Sequence, residues 1–87
     1  MVEIVDVYEN EVAVVSGAIL RQLRIAPDGA VTAQIRSPFD AADPFSAAAT
    51  NHTTLRFRLA DGRTVEFTIF QSAAPGGGWA KLNGRIV

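Results

Sequence analysis

The sequence predicts a mainly β fold, a small antiparallel barrel or roll of five to six strands with one short helix near residues 38–50. Three observations carry that expectation. Two Asp-Gly steps, Asp28-Gly29 and Asp61-Gly62, each lie between apolar segments. Apolar and polar residues alternate with period two on both sides of the second step and beyond the first. With 87 residues and a 48% hydrophobic fraction, the chain has material for one core and no second one, so residues 1–87 read as a single domain.

Taken in order, Val2–Tyr8 is a strand that turns at Glu9-Asn10. Residues 10–24 admit two readings. As a helix, giving an α+β alternative, Asn10 would cap it and Val12, Val15, Ile19 and Leu23 would form its apolar stripe. Gly17 and the β-branched residues weigh against a helix, so strands at Val12–Val15 and Ala18–Ile25, parted by a Ser16-Gly17 bend, are preferred. Pro27-Asp28-Gly29 is then a three-residue turn, with proline supplying φ near −65°. It places Ile25 opposite Val31 and Leu23 opposite Ala33, but also leaves Arg21 opposite Ile35, a flaw in the register.

Residues 37–52 break the alternation. Ser37-Pro38-Phe39-Asp40 and Asp43-Pro44-Phe45-Ser46 both set a capping residue before proline, and Ala47-Ala48-Ala49 favours a short helix stopping near Asn51. The second hairpin is the clearest element. A two-residue Asp-Gly loop would set Phe57 against Glu66; a three-residue loop, Ala60-Asp61-Gly62, pairs Phe57 with Val65, Leu55 with Phe67 and Arg56 with Glu66. The chain closes with a glycine loop at 73–78, Trp79–Leu82, a turn signal at Asn83-Gly84 and an apolar strand stub, Arg85–Val87.

Composition and motifs narrow the chemistry. The absence of cysteine excludes disulfides and thiolate metal sites and points towards the cytoplasm. The acidic start, Glu3 and Asp6, does not fit a signal peptide, and no apolar run is long enough to cross a membrane. Gly76-Gly77-Gly78-Trp79-Ala80-Lys81 has the wrong spacing for a phosphate loop, and Leu82 stands where a Mg²⁺-binding hydroxyl belongs. His52 lacks a nucleophile or second ligand, while helix capping accounts for Asp40 and Asp43. No catalytic residue, cofactor or metal is expected, and the chain reads as a non-enzyme.

Two binding surfaces remain. Phe39, Phe45, Phe70 and Trp79 fall outside the clean alternation, and Phe39, Phe45 and Trp79, rimmed by Arg56 and Arg58, point to a protein-binding patch. Alternatively, Arg24, Arg36, Arg56 and Arg58 line the polar faces of the hairpins and suit a nucleic-acid backbone, although a pI near 5.7 weighs against it. Size and strand rhythm are similar to those of Sm-like, SH3-like and OB-like small barrels, an architectural likeness that does not fix function. Charge is uneven: residues 1–17 carry −4 and residues 18–87 carry +3, which an acidic first strand beside a basic neighbour explains, as would two faces steering different partners. The expectation is a non-enzymatic protein-interaction module working as a homo-oligomer, adaptor, inhibitor or structural subunit, with a nucleic-acid-binding barrel as the alternative.

Overall fold

Six antiparallel strands close into a barrel in the computed structural model, which describes residues 2–37, 44–71 and 78–87. The elements are β1 (Val2–Glu9), β2 (Val12–Ile25), β3 (Ala30–Arg36), α1 (Pro44–Asn51), β4 (Leu55–Arg58), β5 (Thr64–Gln71) and β6 (Ala80–Ile86). Around the barrel they run β1-β2-β3-β6-β5-β4, with β4 returning to β1. Two meanders, β1-β2-β3 and β4-β5-β6, are thus joined at β3–β6 and β1–β4.

The two Asp-Gly turns share one construction. Ala26 and Leu59 each accept the N–H of a glycine three residues on (Gly29 and Gly62, 2.9 Å) and donate to the carbonyl four residues on (Ala30 and Arg63). Gly29 and Gly62 take the left-handed φ of 90° and 95° that the closing position requires. In each turn the aspartate Oδ1 accepts the N–H two residues later, from Ala30 and from Arg63 at 3.0 Å. Around Gly62 the resulting pairs are those anticipated: Leu55 with Phe67, Arg56 with Glu66 and Phe57 with Val65.

The sequence-based register of the first hairpin needs one correction. A bulge between Arg21 and Arg24, with Gln22 at φ 55°, adds a residue to β2, so Leu20 meets Ile35 and Arg21 meets Gln34. The bulge keeps Arg21 off the apolar face. β2 is also one continuous strand: the expected bend at Ser16-Gly17 is a second bulge, with Gly17 at φ 72° donating its N–H to Asp6 Oδ1. A helix over 10–24 is not formed. Its stripe would have buried Val12, which instead is well exposed, whereas Val15, Ala18 and Leu20 line the interior. The β1–β2 turn falls at Asn10-Glu11, one residue later than expected, with both residues at positive φ.

Asn83-Gly84 does not turn. β6 runs straight through, pairing Gly84 with Val31 on one side and Phe67 on the other. The glycine serves close approach instead: a Cβ there would collide with the Glu66 carbonyl oxygen and lie 2.7 Å from the Phe67 Cβ.

The interior is filled by side chains from every strand, among them Val7, Leu20, Val31, Ile35, Phe57, Val65, Phe67 and Leu82. Phe57 and Phe67 pack with ring centroids 5.2 Å apart and planes tilted by 53°. Helix α1, which joins the end of β3 to the start of β4, adds Phe45 and Ala48 to this core. Its C-terminus closes with Thr53 N–H on the Ala48 carbonyl and His52 N–H on the Ala49 carbonyl, and His52 takes the left-handed φ of 53°. Among the described residues no polar or charged residue is fully buried, and no helix is long and apolar enough to cross a membrane.

Candidate interaction face

The barrel wall is not evenly finished. β3 and β6 are paired on both edges, as β5 is along Thr64–Phe67. Their outward rungs are polar, Thr32–Asn83–Thr68 being one and Gln34–Lys81–Gln71 another, with a single exposed Phe70 at the register shift between Ile69 and Gln71 of β5. Arg56 of β4 donates to Glu66 of β5 at 2.8 Å, a pair largely open to solvent and worth little to stability.

The β1–β2 hairpin differs on three counts. Its outward face is apolar at the centre, since Ile4 and Ile19 share a rung next to one carrying Val2 and Arg21. Val2 is 59% exposed and Ile4 66%. Second, β2 pairs with β3 only from Ile19 onwards, so along Val12–Ala18 one backbone edge meets no strand among the described residues. Third, β1 meets β4 at just two positions, Val7 with Phe57 and Tyr8 with Arg56.

The Ile4–Ile19 rung continues into Arg36 on β3. Beyond it stands Trp79, half-buried, with the Arg21 guanidinium 3.9 Å from the ring centroid and that of Arg36 at 5.2 Å. Arg21 is further held by its Nε, which donates to Gln34 Oε1 at 2.6 Å. Two cations fixed against one indole beside exposed aliphatic side chains form an arginine–aromatic cluster of the kind that anchors interfaces.

The structure rearranges the residues singled out from sequence. Trp79 does associate with arginines, but with Arg21 and Arg36. Arg56 and Arg58 lie on β4, separated from that cluster by β5 and β6 on one side and by β1 on the other. Arg24 and Arg36 are on β2 and β3, so the four arginines considered for nucleic acid do not share one face. Phe45 is 1% exposed: it completes the core where a surface anchor was expected, because the helix packs its apolar side against β5. Phe39, Asp40, Asp43 and the loop residues 73–77 lie outside the described residues. Sequence reasoning missed Val2, Ile4, Ile19 and Arg21. The signal was present, since Val2-Glu3-Ile4-Val5-Asp6-Val7-Tyr8 is apolar at both parities and not at one.

A second feature is an open groove of about 1000 Å³ along the short β1–β4 seam, lined by Tyr8, Thr54, Arg56, Arg58, Thr64 and others, Glu11 and Glu66 included. Among the described residues no three histidine, aspartate or glutamate side chains converge as metal ligands. Compared with protein-family models, curated proteins and solved structures, the chain finds no match, so its function has to be argued from this geometry.

Proposed function

We propose that the chain is a non-enzymatic protein-interaction module that docks through the outer face of the β1–β2 hairpin. The observation that carries the reading is the shared placement of Val2, Ile4 and Ile19 on adjacent outward rungs, beside the Trp79–Arg21–Arg36 cluster. Exposed apolar side chains scattered singly need no explanation, but a contiguous set flanked by pre-held arginines does. Burying such a face contributes about 25 cal/mol per Å² of apolar surface, and the arginines supply donors whose side-chain freedom is already spent. The edge along Val12–Ala18, which meets no strand among the described residues, offers a partner backbone hydrogen bonds as well. A role as oligomeric adaptor, inhibitor or structural subunit fits such a device, and a barrel held without disulfides suits the cytoplasm.

The test is photo-crosslinking in the native host, with p-benzoylphenylalanine in place of Ile4 or, as control, of Thr68 on the polar side. Protein adducts from position 4 and none from position 68 are expected. No protein adduct from position 4 would overturn the reading.

The groove supports a second reading, a nucleic-acid-binding barrel using Arg56 and Arg58 beside Tyr8. It ranks lower because Glu66 occupies Arg56 and Glu11 adds like charge to that of a polyanion. It requires salt-sensitive retention of single-stranded RNA or DNA, and no retention at about 50 mM salt removes it.

A further inference from the structure

We infer that the partner of the β1–β2 face is a second copy of the same chain, related by a two-fold axis that lies in the interface and crosses the hairpin at the Ile4–Ile19 rung. The inference rests on the interaction reading above and names its partner.

Charge is laid out about that rung with opposite signs at its two ends. Asp6 lies two residues beyond Ile4 on β1, and Arg21 two residues beyond Ile19 on β2. The strands are antiparallel, so the two side chains sit towards opposite ends of the hairpin, each about 7 Å from the rung at ~3.4 Å per residue. Within one copy they are too far apart to pair. A two-fold crossing the hairpin brings Ile4 and Ile19 against their own counterparts and sets Asp6 of each copy over the Val2–Arg21 rung of the other, beside Arg21. It also turns the acidic tip of the hairpin, with Glu9 and Glu11, towards the end of β2 that carries Arg24. A two-fold running along the strands would instead set Asp6 of each copy over the Ser16-Gly17 stretch of the other, at the end of the hairpin away from Arg21. The face is therefore complementary to itself in one orientation, as an isologous interface has to be.

Both charged groups are already fixed. Asp6 is held through Oδ1 by the Gly17 N–H at 3.0 Å, and Arg21 is clamped between Gln34 and Trp79. Little side-chain freedom remains to be lost on contact.

The experiment uses the whole chain in sedimentation velocity over a micromolar concentration series. The wild type is expected to dimerise as concentration rises. Asp6→Arg and Arg21→Asp each weaken the dimer about tenfold or more, because each homodimer then opposes like charges twice. Mixed together, the two variants form a heterodimer in which both pairs are restored with reversed sign, and affinity returns towards that of the wild type. A wild type that stays monomeric throughout, or a mixture no tighter than its components, overturns the inference. Should Arg21→Asp fail to fold, the cysteine-free chain offers an independent route. Ile4→Cys lies near the axis and forms disulfide-linked dimers under mild oxidation, while Thr68→Cys does not. Equal crosslinking at both positions, or none at Cys-substituted position 4, contradicts the second copy. A position-4 adduct to a different protein would then leave the interaction reading intact and reject only the self-partner.

Discussion

The two sides of this barrel solve the same problem differently. Around β3, β6 and β5, every strand has two neighbours, and the outward rungs are polar apart from a single exposed Phe70 at a register shift near the end of β5. The positive-φ or close-approach positions there are glycines at turns (Gly29, Gly62) or between strands (Gly84). The β1–β2 hairpin carries three register shifts, an edge half-open among the described residues and three non-glycine residues at positive φ (Asn10, Glu11 and Gln22). It also holds a shielded Glu3 Oε2 without a hydrogen-bond partner among the described residues. Its outward face keeps aliphatic side chains in water. One side is finished as a surface; the other carries local costs that a surface alone does not require. That difference is what supports the proposal that the hairpin is the working side.

The largest effect is expected on the finished side. Gly84→Val drives a side chain into Phe67 and the Glu66 carbonyl at the middle of β6, where backbone on both sides prevents relief. We expect a loss of about 3 kcal/mol in urea unfolding, whereas Ile4→Lys on the working side should change monomer stability by less than about 0.5 kcal/mol.

The hairpin should respond in the opposite direction to repair of its turn. Glu11 holds φ 70° in a two-residue loop after Asn10, a position that favours glycine. Glu11→Gly makes an Asn-Gly turn and should stabilise the fold by about 1 kcal/mol, read as a raised Tm. A lowered Tm would mean that the Glu11 side chain contributes something the backbone strain conceals.

The smallest effect belongs to the second Asp-Gly turn. The Asp61 carboxyl is held below its ordinary value of 3.8, first by the Arg63 N–H and further by the Arg63 guanidinium, with desolvation opposing. A lowered carboxylate supports folding above its unfolded pKa and loses that support as pH falls through its folded value. An NMR titration should therefore find Asp61 ionised below pH 3.8, and Asp61→Asn should flatten the acid limb of stability slightly.

Much of the finished side was legible in the sequence. The parity of Leu55, Phe57, Val65 and Phe67 excludes a two-residue loop, and the three residues Ala60-Asp61-Gly62 with glycine at the closing position satisfy it, so the turn and its register are legible from side-chain alternation. The Asn83-Gly84 pair misleads, because a hairpin signal and a close-packed glycine look the same until the neighbouring strands are known. On the hairpin side, Asn10-Glu11 lacks the glycine that announces such a turn, and bulges at Gly17 and Gln22 shift the register without a distinctive residue at Gln22. The interaction face was half legible. Trp79 stood out, but its arginines come from β2 and β3, and only the barrel closure decides which arginines lie beside it.

The most direct test of the difference between the two sides is a paired binding measurement. Ile4→Lys and Thr68→Lys add the same charge to outward positions on β1 and β5, and each is compared with the wild type by sedimentation against whichever protein the position-4 crosslink captures, a second copy included. The account predicts that Ile4→Lys abolishes association and Thr68→Lys leaves it within about twofold, with both variants melting as the wild type does. Equal loss from the two variants, or none from Ile4→Lys, would contradict it.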